Sequence, residues 1–341
     1  MTPGRHAARF RPPPGLANRH VQTLLPRLLP CPQPMLAWEE LPLPDGDVVE
    51  LAWLVPSPED AAAPLFVLFH GLEGSMDSPY ARQLLAGAAE HGHRAVLMHF
   101  RGCGRRPNRR PRAYHSGDTA DAHWLLTRLR HRYPRAALFA CGVSLGANML
   151  LKLVAEDRAN DLGLGGAIAI APPVNLAASA DTLERGFARL YQRHLLNALK
   201  AKVASRLASG ELPLTLTPAR LAGFTTLREY DEAVTAPLHG FVGAADYYRR
   251  AAAGPLLGGI FLPTLILHAD DDPFMPAGLY GDIVLGPGIR LETSRHGGHV
   301  GFVEWRDGRL GSWLARRVAD QLTSWSTSQR QARGAISRSD S

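Results

Sequence analysis

Cysteine, lysine and long apolar runs are all scarce in this chain. Its 341 residues hold three cysteines, Cys31, Cys103 and Cys141, none in C-x-x-C spacing. Neither a disulfide framework nor a structural zinc site is expected from so few, and the pattern fits a reducing, cytoplasmic compartment. Only three of the 38 basic residues are lysines (Lys152, Lys200, Lys202), although the net charge is +7. A nucleic-acid surface usually mixes both types on one face, so arginine is read as the general surface cation and no nucleic-acid partner is expected. No run approaches 18 apolar residues, which excludes a membrane-spanning helix, and the first residues lack the apolar core of a secretory signal. No lysine stands in a Walker loop, and Gly163-Leu164-Gly165-Gly166 lacks the G-x-G-x-x-G spacing, so nucleotide binding is unsupported.

What remains is ordinary globular composition, 45% hydrophobic and 20% charged, in a chain long enough to bury a core without covalent staples. Apolar runs at 48–54, 65–69, 95–100, 136–140, 166–171, 263–268 and 289–293 alternate with helical patterns at 79–91, 117–132, 145–157, 277–285 and 305–325. Unmixed apolar runs are the mark of parallel strands buried on both faces. Their alternation with helices predicts an α/β protein, a mostly parallel sheet flanked by helices. Residues 1–35, rich in Pro and Arg, read as an irregular N-terminal arm with one short apolar turn near Val21–Leu29, and 326–341 as a disordered tail. The domain between them, 36–325, carries an insertion at about 173–260 that is too long for a βα connection. Its stripe Leu183, Phe187, Leu190, Tyr191, Leu195 and Leu199 has helical spacing. Three readings stay open for it: packing on the sheet domain, a substrate-facing lid, or a peripheral contact with lipid.

The chemistry concentrates in three places. Gly142-Val143-Ser144-Leu145-Gly146 fits G-x-S-x-G, with an apolar run before it and a helical pattern after it. This strand–turn–helix context marks a nucleophile elbow, where flanking glycines let the backbone close over a strained serine. A serine hydroxyl is a weak nucleophile and needs a base, which needs an orienting acid. In this chain order the acid follows the serine and the histidine comes last. Asp270-Asp271-Asp272 ends the run at 263–268, and Asp272 is favoured because Asp-Pro-Phe-Met-Pro turns directly onward. Gly297-Gly298-His299 follows the strand-like run at 289–293, which makes His299 the base and His296 its competitor. The oxyanion formed on attack needs donors already in place. The backbone N–H groups of Leu145 and of Leu72, in His70-Gly71-Leu72-Glu73-Gly74, suit that task.

Two weaker signals accompany these. Residues 101–112 hold six arginines, read either as a site for an anionic group or phospholipid surface, or as a solvated loop with Arg101 pinning a turn. His115, Asp118, Asp121 and His123 invite a metal reading, but Asp118 and Asp121 better serve the first turn of the 117–132 helix, so no metal and no organic cofactor is expected.

The motifs together resemble the YheT and embryogenesis-associated EMB8-like branch of the α/β-hydrolase fold family, related to the mammalian ABHD lipases. The resemblance spans roughly residues 10–320. It rests on Asn18-Arg19-His20-Val21-Gln22-Thr23, His70-Gly71-Leu72-Glu73-Gly74-Ser75, Tyr114-His115-Ser116-Gly117-Asp118-Thr119, Thr235-Ala236-Pro237-Leu238-His239-Gly240-Phe241, Asp271-Asp272-Pro273 and Gly297-Gly298-His299-Val300-Gly301-Phe302. It implies a catalytic set of Ser144, Asp272 and His299, with Arg101, Tyr114 and His115 near the substrate or lid. It also implies a carboxylic ester hydrolase acting on short acyl esters or acylglycerols. The alternatives are transfer of the acyl group to an alcohol by the same residues, and a non-catalytic binding module on this scaffold.

Overall fold

The computed structural model describes residues 2–157 and 160–339, with side chains described through residue 331. Nine strands form one sheet: β1 (Gly4–Ala7), β2 (Met35–Pro42), β3 (Val48–Val55), β4 (Leu65–Phe69), β5 (Arg94–Met98), β6 (Leu138–Val143), β7 (Leu164–Ile170), β8 (Thr264–Ala269) and β9 (Ile289–Ser294). Their order is β1-β9-β8-β7-β6-β4-β5-β3-β2. Only β2 with β3 and β3 with β5 pair antiparallel. Every residue of β4, β5, β6 and β8 is buried, and their side chains alternate between two cores as the two-residue strand period requires. Leu65, Val67 and Phe69 join one core with Leu125 and Leu129 of α3 (Ala120–Arg132) and Met149 of α4 (Leu145–Glu156). Phe66 and Leu68 join the other, under Leu84 of α2 (Pro79–Glu90) and Trp313 and Leu322 of the C-terminal helix, α11 (Trp313–Ser339).

Between β7 and β8 lie α5 (Leu176–Leu183), α6 (Ala188–Ala208), and the short α7 (Pro218–Gly223), α8 (Leu227–Tyr230), α9 (Ala236–Leu238) and α10 (Ala244–Ala251). While α10 packs on α5 in a separate cluster of Leu176, Ala180, Tyr247 and Tyr248, most of this insertion makes a third core of its own, with Leu196, Leu199, Val203 and Val234, against which Leu72 and Phe274 of the sheet domain pack. The stripe read from the sequence therefore divides. Leu183 and Leu199 are buried in this core, while Phe187 and Leu190 face solvent.

Four expectations change. The arm is not simply irregular. β1 adds a parallel edge strand to β9, Phe10 is buried against Phe302 and Trp313, and α1 (Arg19–Leu24) is capped by the Asn18 side chain. No helix forms over 277–285, where Gly278 sits at φ +70° within a run of turns, because Gly278, Gly281 and Gly286 break the helical spacing. Residues 303–312 form the hairpin of β10 (Val303–Arg306) and β11 (Arg309–Ser312) in place of the start of a helix. Its turn is Asp307-Gly308, both at positive φ, the two-residue turn this dipeptide favours. Residues 326–339, expected to be disordered, continue α11 as helix, and Trp325 and Ser326 are buried.

Candidate active site

β6 ends in Val143, and α4 begins at Leu145. Ser144 between them takes φ +52° and ψ −117°, a strained conformation for a residue with a Cβ. Its N–H donates to Ile170 O at 2.8 Å, which ties the turn to β7. The two glycines are required by space. A Cβ on Gly142 would lie 2.3 Å from Gly146 O, and one on Gly146 would lie 2.4 Å from His70 O and 2.6 Å from Phe69 O, all backbone atoms that have nowhere to go. Gly146→Ala is therefore expected to cost about 3 kcal/mol or more, read as a lower urea midpoint or loss of soluble protein. An unchanged midpoint would contradict this packing.

His299 and Asp272 reach the same point from neighbouring loops. His299 Nε2 lies 3.0 Å from Ser144 Oγ, and its Nδ1 lies 2.8 Å from Asp272 Oδ2. Asp272 is buried, and its Oδ1 accepts the Phe274 N–H at 2.8 Å. The ring of Phe274 stacks on the imidazole with centroids 3.9 Å apart, which fixes the ring plane. Among the three adjacent aspartates the geometry separates the roles. Asp271 accepts the Gly298 N–H at 2.9 Å and stands 3.5 Å from His296 Nδ1, while Asp270 is exposed.

Support for His299 comes from a place where the sequence reading assigned no role. The His299 N–H donates to Thr23 Oγ1 at 2.9 Å, and Gln22 accepts the Val303 N–H at 2.7 Å. A Cβ on Gly298 would meet Arg19 O at 2.4 Å, and one on Gly301 would meet Gln22 O at 2.0 Å. The arm helix α1 is thus the back wall of the histidine loop. Its traces in the sequence are the family-like segment Asn18–Thr23, with a helix-capping Asn18, and the apolar spacing that follows it.

The loop after β4 is held on both sides of Leu72. The Gly71 N–H donates to Tyr80 Oη at 2.9 Å and the Glu73 N–H to Tyr114 Oη at 2.8 Å, while that hydroxyl donates to Glu73 Oε1 at 2.8 Å. The N–H of Leu145, in the first turn of α4, has no carbonyl within its own helix to reach. His70 beneath the loop accepts the Phe100 N–H on Nε2 at 3.0 Å, so its proton sits on Nδ1, 2.7 Å from Gly71 O. Burial pushes its pKa down to about 3. Burial does the same, also to about 3, for His115 and His239. In the unfolded chain such groups take up protons near pH 6.5. The unfolded state then holds more protons at any pH between about 3 and 6.5, so stability falls as pH drops through that window. Urea midpoints measured from pH 7.5 to 5 should decline, and a flat profile would refute the neutral burial of these rings.

The three residues placed near the substrate, Arg101, Tyr114 and His115, line the cavity that Ser144 opens into, and each also has partners within the protein. Arg101, read as a substrate contact, spends its guanidinium on Asp121 (2.7 Å), Asp45 (2.7 Å) and Asp47 (2.9 Å). It pins the turn before β3 to α3. Its neighbours pair too: Arg105 with Glu50, Arg106 with Glu40, and Arg112 with Asp118, so the charge of residues 101–112 is largely cancelled. Asp118 and Asp121 consequently serve arginines more than the helix start. Tyr114 holds Glu73, and His115 packs edge-on against His239 at 4.6 Å. The histidine and acid atoms that do converge, within 4.8 Å, belong to His115, Asp118 and His239. Asp121 and His123 are not among them, and Asp118 already binds Arg112 through both oxygens.

Ser144, His299 and Leu72 open into a cavity of about 950 Å³. Its far wall is the insertion, with Leu183, Leu195, Leu199, Val203 and Val234.

A mostly parallel sheet with a serine held at positive φ between a central strand and its helix, facing a histidine and a carboxylate from later loops, defines an α/β hydrolase. The chain belongs to that family: the model described as alpha/beta hydrolase fold matches residues 64–304. It is 44% identical over 323 residues to YheT of Escherichia coli, an esterase by name, with 94% of each chain covered. It is 30% identical over 264 residues to a monoacylglycerol lipase of Saccharomyces cerevisiae, covering 75% of this chain and 58% of that one. Among solved structures, the Pyrococcus furiosus esterase Pf2001 shares the fold at a TM-score of 0.53 and 12% identity, with 95% of this chain and 99% of that one covered. Among the described residues no helix is long and apolar enough to cross a membrane.

Proposed function

We propose that the protein is a serine hydrolase that cleaves carboxylic esters of short acyl chains or acylglycerols through an acyl-enzyme. The observation that carries this is the unbroken line from Ser144 Oγ through His299 to Asp272, at 3.0 and 2.8 Å, opening on a cavity walled by leucine and valine. The esterase and lipase names of the relatives support the same class. In this reading His299 Nε2 takes the Ser144 proton as Oγ bonds to the acyl carbon. The Leu72 and Leu145 N–H groups receive the oxyanion. The ester C–O bond then breaks, and the proton passes from His299 to the departing alcohol. Water repeats the cycle in reverse roles and frees the acid. Asp272 keeps the Nδ1–H turned inward and steadies the imidazolium. Residues 36–325 act as one domain, with 173–260 as the lid over the acyl chain. Neither a metal nor an organic cofactor takes part in these steps.

The test is a fluorophosphonate probe followed by peptide mapping, alongside hydrolysis of p-nitrophenyl esters from acetate to palmitate. One probe per chain on Ser144 and turnover of the ester series are expected. No labelling and no turnover would return the protein to a binding module. Added ethanol separates hydrolysis from acyl transfer, since an acyl group passed to the alcohol appears as ethyl ester in place of free acid.

A further inference from the structure

The positive charge that residues 101–112 spend on carboxylates is left unspent elsewhere. Val21, Leu24 and Leu28 recur at helical spacing along α1 and the turn after it, and they are 37%, 41% and 81% exposed. Phe187 and Leu190, on one face at the start of α6, are 48% and 53% exposed. His20 joins the two elements. Its ring lies 4.3 Å from that of Phe187, and its Nδ1 lies 3.1 Å from Tyr191 Oη. Five large apolar side chains thus stand out from one pair of contacting helices. Single exposed apolar residues need no explanation, but a cluster does.

Around them are Arg27, Arg185, Arg189 and Arg193, all exposed. None has a carboxylate partner within ion-pair distance among the described residues, in contrast to Arg101, Arg105, Arg106 and Arg112. Across residues 184–193 the one acid is Glu184, and it is exposed. The patch also adjoins the cavity. Leu24 and Arg27 of the arm and His194 of α6 both line it and are exposed, so they mark a mouth.

We infer that this face seats the enzyme on an anionic phospholipid surface, with the cavity mouth against the lipid. An apolar ridge rimmed by arginine is the composition of a helix that lies in the headgroup layer, and each arginine near an anionic surface adds to the attraction. A protein partner would be expected to leave the arginines opposite fixed acids, and a second copy would bring four more arginines against these four. Charge therefore favours lipid over self-association.

The experiment is co-sedimentation of the full chain with phosphatidylcholine vesicles and with the same vesicles containing phosphatidylglycerol. Binding is expected only to the anionic vesicles, with release at high salt. Arg189→Glu with Arg193→Glu should weaken it by at least about thirtyfold, and Phe187→Ser with Leu190→Ser about tenfold. Both variants should hydrolyse a soluble short-chain ester at the parental rate. Equal binding to neutral and anionic vesicles, or full binding by the charge-reversed variant, would overturn the inference. So would a wild-type dimer that the Phe187→Ser, Leu190→Ser variant turns into monomers. Ser144→Ala protein should bind vesicles like the parent, so failure here and failure of the serine reading are separable.

Discussion

Asp272→Asn is expected to lower kcat/KM on p-nitrophenyl butyrate by about four orders of magnitude while leaving the fold intact. The argument is one of hydrogen-bond supply. Asp272 uses one oxygen for the Phe274 N–H and the other for His299 Nδ1. An asparagine has a single acceptor oxygen and an NH2 group. If the oxygen stays on Phe274, the NH2 faces His299 and forces its Nδ1 to accept. The ring proton then moves to Nε2, against Ser144 Oγ, and the imidazole can no longer take the serine proton. If the amide turns over, its oxygen keeps the Nδ1–H, but the half-buried Phe274 N–H loses its partner and the loop that carries Phe274 loosens beneath the stacked ring. The first outcome removes the base; the second keeps it only by giving up the Phe274 hydrogen bond, so the loop favours the first. The comparison with Asp271→Asn decides the assignment. That variant should retain most of the activity, because Asp271 touches Gly298 and His296 and not His299. Collapse of Asp271→Asn with survival of Asp272→Asn would reassign the acid.

Arg101→Ala is expected to be the most damaging substitution for stability, at about 3–5 kcal/mol. Its side chain is 2% exposed and meets Asp47, wholly buried, Asp121, 9% exposed, and Asp45. Removing it strands carboxylates that have little water to turn to. The pH dependence distinguishes this cause from lost packing. Burial acts to raise the Asp47 pKa, but hydrogen bonds from Asn108 and the backbone, with the charge of Arg101, bring it below the ordinary carboxylate value. For Asp121 burial wins and the pKa is raised even with Arg101 present. Without the arginine both rise. A carboxylate whose folded pKa exceeds its unfolded value destabilises at pH above that range and ceases to do so once protonated. The deficit relative to the parent should therefore be largest at neutral pH and shrink toward pH 4. A deficit independent of pH would assign the loss to packing alone.

The central strands were legible because burial on both faces leaves a local mark, a run dominated by apolar residues. The elbow was legible for a related reason: three residues of one turn must satisfy space and strain together, and those three are adjacent in the chain. The hairpin at 303–312 departs from the helical spacing of 305–325 because the Asp307-Gly308 turn overrides it locally. The edge strand β1 left almost no mark, because its four residues alternate between half-buried and exposed and pair with a strand some 280 positions away.

The sequence by itself determined the class of fold, the serine turn and the order in which an aspartate cluster and a glycine-flanked histidine follow it, since each depends on neighbours within a few residues. Which aspartate faces the imidazole, what supports the histidine loop and where the arginine charge is spent were decided only by tertiary structure. Asp270, Asp271 and Asp272 are chemically alike, and they differ only in which loop their oxygens reach. Thr23 lies 276 residues from the amide it holds. Arg101 and Arg189 are equally basic in the chain, and only folding brings carboxylates to the first and leaves the second in water.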